Sequence, residues 1–159
     1  MKTIHRLALS ISFGLLISCG GNVEEPSKKT APSPKPQVEE VVASERITLD
    51  NKGVGKVTSL TLDATIDDAR VERGAALFKT NCTACHKTTK RFIGPNPTGI
   101  LKRRSPEWVM NMILDPGLMT EEDQCAKDLL VEFNGAAMAN QNMTEEQARD
   151  ILEYFRTLK

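Results

Sequence analysis

The chain has 159 residues, of which 40% are apolar, and its 21 basic residues balance its 21 acidic residues. This length provides for one modest domain with appendages, so a second domain is not expected. The balanced charge gives no basis for a nucleic-acid partner or for general electrostatic adhesion to an anionic membrane.

Residues 1–18 have the pattern of a secretory signal peptide. Basic residues precede an apolar run, Leu7 to Ile17, that is too short to span a bilayer. The end of this run, with Ser18 and Cys19, resembles the lipobox of bacterial lipoproteins, in which the cysteine receives the lipid. The sequence predicts a mature chain that begins at lipid-modified Cys19 and is anchored in the bacterial cell envelope, facing the periplasm. The alternative is a plain signal peptide that leaves Cys19 as a free thiol.

Residues 19–46 form a proline-rich tether. Four of the eight prolines lie there, with few large apolar side chains between them. Such a composition cannot bury enough surface to offset the entropy of ordering, so we expect a disordered segment. Residues 47–66 are richer in leucine and β-branched residues, which indicates an extended arm. The arm either packs on the domain that follows or is ordered only in part.

Residues 67–159 are predicted to form an all-α domain of about four helices. The first helix begins at Asp67 or Asp68 and ends just before the first cysteine of the domain. Gly74 lies on its apolar face, where a missing side chain favours close approach to another helix. The basic, turn-rich residues 87–104 are predicted to form a loop.

Three further helices are expected, and each has a capping residue. Ser105 precedes a proline at the first helical position of the second helix. Thr120 is the expected cap of the third helix. Thr144 and Gln147 have the form of a capping box for the last helix, which carries an apolar stripe at helical spacing.

The segment Cys82-Thr83-Ala84-Cys85-His86 has the CxxCH pattern of covalent haem attachment, in which two sulfurs bond to the haem vinyl groups and the histidine ligates iron. A zinc site would need four ligands, whereas the other histidine, His5, lies in the predicted signal peptide. A redox dithiol would follow a strand, whereas a helix precedes this motif. The sequence therefore predicts one covalent haem c. Cys125 is left over, as a small buried apolar residue.

A methionine is the candidate for the second axial ligand, because the predicted mature chain has no second histidine. Met110 and Met112 lie within a helix and suit the core. Met119 immediately precedes a predicted cap, and Met143 precedes the last helix at a position that packs back on it. Met138 lies in mid-loop among alanines, and we select it ahead of Met143 and Met119.

From about residue 67 to residue 159 the chain resembles the monohaem class I cytochromes c. The family has an N-terminal helix, CxxCH, a Gly-Pro loop, a methionine loop and a C-terminal helix. The matching residues are Gly74 and Phe78, Cys82, Cys85 and His86, Gly94 and Pro95, Met138, and Tyr154 and Phe155.

The resemblance implies a class I cytochrome c fold, in which the first and last helices cross near Gly74. It also implies that the carbonyl of Pro95 accepts a hydrogen bond from His86, a contact that orients the ring and raises its basicity. In many members a proline follows the axial methionine. Ala139 stands there in this chain, which implies a less rigid loop.

Residues 53–55, 103–108 and 138–144 are similar to lipoprotein cytochromes associated with nitrous oxide reduction. The resemblance implies a monomeric electron carrier, anchored to a membrane by its N-terminal lipid. It would pass single electrons between respiratory redox proteins, with nitrous oxide reductase as a candidate partner, and would catalyse no reaction itself. The alternative is a haem enzyme or gas sensor with an open axial site.

Charge is segregated along the domain. Seven basic residues and no acidic residue lie between Lys79 and Arg104. This pattern predicts a basic face near the haem edge that steers an acidic partner. The same region could instead neutralise the haem propionates, for which Arg103, Arg104 and Trp108 are candidates, and the two roles are compatible.

Overall fold

This computed structural model describes residues 41–159 of the chain. This part of the chain contains five α-helices and one 3-10 turn. Their bounds are α1 Asp68–Asn81, the 3-10 turn Ile100–Lys102, α2 Pro106–Leu114, α3 Pro116–Glu122, α4 Gln124–Glu132 and α5 Glu145–Thr157. Within the described residues there is no strand, and one isolated bridge joins Thr48 to Arg104. The all-α prediction is confirmed. The predicted signal peptide, Cys19 and most of the tether lie outside the described residues.

None of the helices in residues 41–159 is both long enough and apolar enough to cross a membrane.

The crossing of α1 and α5 forms the frame of the domain. Gly74 allows the crossing, because a Cβ atom at this position would lie 2.0 Å from the backbone oxygen of Asp150. Below the crossing, the ring of Phe78 lies 5.6 Å from the ring centres of both Tyr154 and Phe155. Aromatic pairs at this spacing add to the stabilisation from burial. The two terminal helices therefore meet in the arrangement that the resemblance implies.

Two buried carboxylates on α5 stabilise the frame, one by joining α5 to α1 and the other by pairing within α5. Asp150 accepts hydrogen bonds from Arg70 and Arg73 on α1, at 2.8 Å each. Glu153 pairs with Arg149 and Arg156 on its own helix. Burial raises the pKa of each carboxylate, but the hydrogen bonds and charges of these arginines outweigh it, so both pKa values lie below their ordinary range.

The middle of the chain holds one helix more than predicted. Thr120 is not a cap: it lies inside α3 and donates to the carbonyl of Pro116. Asp115 caps α3 and Asp123 caps α4. The pair Asp115-Pro116 repeats the cap-then-proline pattern of the preceding helix, and this local signal identifies the start of α3. The predicted loop of residues 87–104 also contains the 3-10 turn.

The arm, residues 47–66, packs against α2 and α3 without forming a strand. The side chain of Asn111 accepts from the amide of Val57 at 3.0 Å and donates to its carbonyl at 2.9 Å. The sulfur of Met119 accepts from the amide of Val54 at 3.2 Å. Gly53 lies against this methionine, where a Cβ atom would be 2.7 Å from its methyl carbon. These contacts make the arm part of the core.

Residues 43–46 are held by a buried arginine. The guanidinium group of Arg104 donates to the carbonyls of Ala43 and Arg46 and lies 5.3 Å from the ring centre of Trp108. The indole of Trp108 donates to Asp123 at 3.0 Å. Arg104 thus has its terminal nitrogens bound to protein carbonyls, and Trp108 has its indole N–H bound to Asp123. The Nε atom of Arg104 is buried and has no hydrogen-bond partner within residues 41–159, so the role of Arg104 and Trp108 beside the haem propionates stays a prediction.

Candidate haem-binding site

The CxxCH motif forms a tight turn at the end of α1. The amide of Cys82 donates to Phe78 at 2.9 Å, which closes the helix, and the amides of Cys85 and His86 both donate to the carbonyl of Cys82. The turn brings both thiols and the imidazole to one cleft. This is the placement that covalent attachment with adjacent axial ligation needs.

The ring of His86 is fixed from two sides. Its Nδ1 atom lies 2.8 Å from the carbonyl oxygen of Pro95. Because a carbonyl can only accept, Nδ1 carries the proton and Nε2 is free to bind iron. Gly94 packs on the ring face, where a Cβ atom would lie 2.6 Å from Cε1. The amide of Gly94 in turn donates to Cys85 at 2.9 Å. The glycine-proline loop therefore sets both the tautomer and the orientation of the ring.

The walls of the cleft come from almost every element of the domain and are mainly apolar. The apolar side chains and prolines that line it include Phe78, Ile93, Pro97, Ile100, Val109, Ile113, Leu129, Leu130, Phe133, Ile151 and Phe155. An apolar cleft with two thiols and an imidazole at its edge suits a covalently attached haem, which needs burial, two sulfur bonds and a nitrogen ligand.

The methionines divide according to their partners. Met110 and Met119 are at most 1% exposed, and neither lines the cleft. Met112 and Met143 line the cleft but also pack against the buried core. Met138 lines the cleft without belonging to that core cluster. Its sulfur is therefore the one most available to an iron opposite His86.

Arg103 is the basic residue whose position suits a haem propionate. Its terminal nitrogens donate to the carbonyls of Asn96 and Thr98, at 3.2 Å and 3.3 Å. Its Nε atom is buried and has no hydrogen-bond partner in the described part of the chain. Arg103 lines a second cavity that shares Ser44, Pro95, Asn96 and Phe133 with the main cleft. A buried N–H without a partner fits an acceptor such as a propionate oxygen.

The Cys82 thiol does not have the lowered pKa that a nucleophilic thiol of a redox dithiol needs. Burial, together with the nearby Cys85, raises the pKa of the Cys82 thiol to about 11, whereas a nucleophilic cysteine needs a lowered pKa. Burial also raises the pKa of Cys125, which is 4% exposed. Among residues 41–159 no group of three or more histidine, cysteine or acidic side chains could hold a metal ion. These observations oppose the zinc and dithiol alternatives.

The comparisons with known proteins agree with this site. The family model "Cytochrome c" matches residues 71–159, so the chain belongs to the cytochrome c family. It is similar to the solved cytochrome c from Rhodothermus marinus, with 39% identity over 74% of this chain and 93% of that chain, at a TM-score of 0.64. It is also similar to an engineered form of that protein, Rma TDE, with 38% identity over 74% and 94% of the two chains, at the same TM-score. No curated protein matches the chain significantly.

Membership of this family confirms the class I cytochrome c fold and the haem c cofactor. The protein carries a covalently attached haem c and belongs to a family whose members transfer electrons through it.

Sequence patterns identified Cys82, Cys85, His86, Pro95 and Met138, and the structure brings all five to one cleft. The structure adds Gly94 as the residue that packs on the imidazole. The Gly-Pro pair signalled a special loop, but nothing in the sequence showed which ring the glycine accommodates.

Proposed function

We propose that the protein is a membrane-anchored electron carrier whose haem iron is ligated by His86 and Met138. The observation that carries the proposal is the position of an oriented imidazole and an uncommitted thioether in the same apolar cleft. Haem c supplies a reversible one-electron couple, and a methionine ligand raises its potential relative to weaker ligand sets. With both axial positions filled, the protein has no open site for a substrate or a gas.

The residues of the chain have separate tasks in this function. Cys82 and Cys85 hold the cofactor, and Pro95 orients the imidazole of His86. The apolar walls exclude water and so reduce reorganisation around the redox centre. The protein binds its partners weakly, because electron transfer needs only a brief encounter at the cofactor edge.

A partly apolar, basic surface beside the motif suits an acidic redox partner. Phe92 and Ile93 are 47% and 49% exposed, next to the exposed Cys85. The ammonium of Lys87 lies 5.2 Å from the ring centre of Phe92, and Lys90 is exposed. Arg104 is buried and adds nothing to this surface. The surface would steer an acidic partner to the haem edge, an effect on association rate that salt weakens.

The N-terminal anchor and the partner are parts of the same proposal. The lipobox-like residues before Cys19 support lipid attachment, and the similarity of three segments to nitrous oxide-associated lipoproteins supports nitrous oxide reductase as a partner. The carrier would then act as a monomer at the periplasmic face of the bacterial envelope.

Reconstitution tests the proposal. The lipid-bearing protein is placed in vesicles with nitrous oxide reductase, and the oxidation of its reduced haem is followed after nitrous oxide is added. We expect oxidation that slows as salt rises, and slower oxidation for Lys87→Gln with Lys90→Gln. A haem that stays reduced beside active reductase would contradict this partner. Palmitate labelling that survives Cys19→Ser would contradict the anchor.

A further inference from the structure

The loop that follows His86 is tied to the end of α4 through Arg91. The guanidinium group of Arg91 contacts Oε1 of Glu132 and donates to the backbone carbonyl of the same residue at 2.6 Å. It also lies 3.8 Å from the ring centre of Phe133, within the range of a cation–π interaction. A double hydrogen bond and a stacked ring fix the position of Arg91 more firmly than an ordinary surface ion pair would.

The same carboxylate holds the segment where the tether enters the domain. Glu132 accepts from the amide and from the hydroxyl of Ser44, both at 2.7 Å. Its side chain is 11% exposed, whereas that of Arg91 is 51% exposed. Glu132 is therefore a shared acceptor that joins three segments: the end of the tether at Ser44, the haem loop at Arg91, and α4.

A short path leads from Arg91 to the axial imidazole. The next residue, Phe92, donates from its amide to the carbonyl of Gly94 at 3.1 Å, and Gly94 donates to Cys85 at 2.9 Å. The first bond closes a turn over residues 92–94, and the second ties this turn to Cys85. Arg91 and Pro95 flank the turn, so three residues separate the Arg91 contact from the carbonyl that accepts from His86.

We propose that Arg91 and Glu132 are a positioning pair, which holds the Pro95 carbonyl on Nδ1 of His86 and so raises the electron density that the imidazole gives to iron. The proposal rests on the axial role of His86 in the proposed function. A stronger hydrogen bond from Nδ1 makes the imidazole a better donor and favours oxidised iron. The pair therefore lowers the reduction potential of the haem.

The direction in which Arg91→Gln changes the reduction potential separates this positioning role from a simple effect of charge. Replacing a cation by a neutral residue near the haem favours oxidised iron, so charge alone lowers the potential of Arg91→Gln. Release of the loop weakens the hydrogen bond of His86, which raises the potential instead. Lys90→Gln is the matched control, because Lys90 is the exposed neighbour of Arg91 in the same loop.

The experiment uses the full chain with its haem and measures the reduction potential of each variant at one ionic strength. We expect Arg91→Gln to lie above the wild type and Lys90→Gln to lie at or below it. In the reduced protein, we expect hydrogen exchange at Nδ1 of His86 to be about tenfold faster in Arg91→Gln, which corresponds to about 1.4 kcal/mol. Arg91→Lys keeps the charge but has no planar fork. We expect its exchange rate at Nδ1 of His86 to lie between those of the wild type and Arg91→Gln.

A second pair of variants tests the acceptor. Glu132→Gln removes the carboxylate, and Asp128→Asn removes another carboxylate one turn earlier on α4, where it pairs with Arg46. Both changes remove a negative charge, so the informative readout is exchange at Nδ1 of His86. We expect faster exchange in Glu132→Gln and wild-type exchange in Asp128→Asn.

Two results would overturn the positioning role. One is a potential of Arg91→Gln that falls as that of Lys90→Gln does, and the other is unchanged exchange at His86 in both Arg91→Gln and Glu132→Gln. Far-ultraviolet and haem absorption spectra check that each variant is folded, and Arg91→Lys takes the place of any Arg91→Gln protein that is not. A wild-type oxidised spectrum without six-coordinate, low-spin iron would contradict the proposed ligation, whereas the exchange rates would still decide whether the pair holds the loop.

Discussion

The two sides of the haem cleft differ in how much of the protein supports them. On the histidine side, the ring of His86 is hydrogen-bonded to Pro95 and packed on Gly94, and the loop is tied to α4 through Arg91. On the methionine side, the hydrogen bonds of residues 136–143 are mainly local, such as the amide of Asn142 donating to the side chain of Asn140 at 2.7 Å. The longer-range support comes from Asn140 donating to the carbonyl of Leu114 at 3.4 Å and from Met143 packing on the core. The chain thus builds His86 into a well-supported frame and presents Met138, the proposed second ligand, from a lightly supported loop.

This difference fits the chemistry of attachment. His86 belongs to the motif that attaches the haem. The polypeptide therefore has to set the orientation of its ring without help from a bond to iron. In the proposed function, the sulfur of Met138 would bind the iron, and that bond would add to the order of the methionine loop. Changes on the histidine side should therefore cost more stability than changes on the methionine side.

The largest effect is expected for Gly94→Ala. Its new methyl group would lie 2.6 Å from Cε1 and 2.9 Å from Nδ1 of His86, so either the ring or the loop must move. We expect the free energy of unfolding to fall by about 3 kcal/mol, the upper end of the usual cost of overpacking. Urea unfolding of the haem protein measures this change.

Gly117→Ala is the matched control for that variant. Gly117 lies in α3, where a new Cβ atom would lie 3.5 Å from a carboxylate oxygen of Asp115, an ordinary contact. Alanine is the better helix former, so we expect a gain of about 0.5–1 kcal/mol. A Gly94→Ala protein as stable as the wild type would show that the histidine side is not rigid.

The next largest effect is the contribution of Asp150, at the crossing of α1 and α5, to the free energy of unfolding, and it depends on pH. The pKa of Asp150 lies below its ordinary value of 3.8, so the folded state binds protons less readily than the unfolded state. The stability from Asp150 is complete above the unfolded pKa and is lost as pH falls through the lower folded pKa. Unfolding measured from about pH 6 to about pH 3 should show this loss.

Asp150→Asn tests the source of that pH dependence. The change removes the charge that Arg70 and Arg73 pair with, so we expect a loss of about 2 kcal/mol near neutral pH. We also expect a shallower decline in acid. A decline as steep as that of the wild type would assign the acid sensitivity to other carboxylates, such as Glu153.

The smallest effect is expected on the methionine side. Ala139→Pro restores the proline that follows the axial methionine in many related cytochromes, and it restricts the unfolded chain. We expect a gain of about 0.5 kcal/mol in unfolding free energy, with Ala139→Gly losing a similar amount. Thermal unfolding of the two variants measures the difference. A loss of several kcal/mol in either variant would show that this loop is as tightly built as the histidine side.

Local patterns predicted much of this architecture. The CxxCH motif and the capping box at Thr144 each depend on neighbours within a few positions, which the sequence shows directly. The crossing at Gly74 joins segments far apart in the chain, and it was predicted from the family resemblance. Asp115 was missed as a cap although its pattern is also local. The support of the arm by Asn111 was missed for another reason, because its partners lie more than fifty positions away in the chain.

Glu132 illustrates the same limit within the candidate site. Its partners are Ser44, 88 positions away, and Arg91, 41 positions away. In the sequence it is one acidic residue at the end of a helix, with no spacing that marks it. Its proposed role follows only from the fold, which brings Ser44, at the end of the tether, and Arg91 of the haem loop to the same carboxylate.

The measurement that tests the central claim most directly is carbon monoxide binding by the reduced protein at neutral pH. With His86 and Met138 on iron, the wild type should bind the gas slowly and weakly, and Met138→Ala should bind it rapidly and lose the sulfur-to-iron charge-transfer band of its oxidised form. Met143→Ala should behave as the wild type does. Rapid, tight binding by the wild type, or an unchanged charge-transfer band in Met138→Ala, would contradict the account.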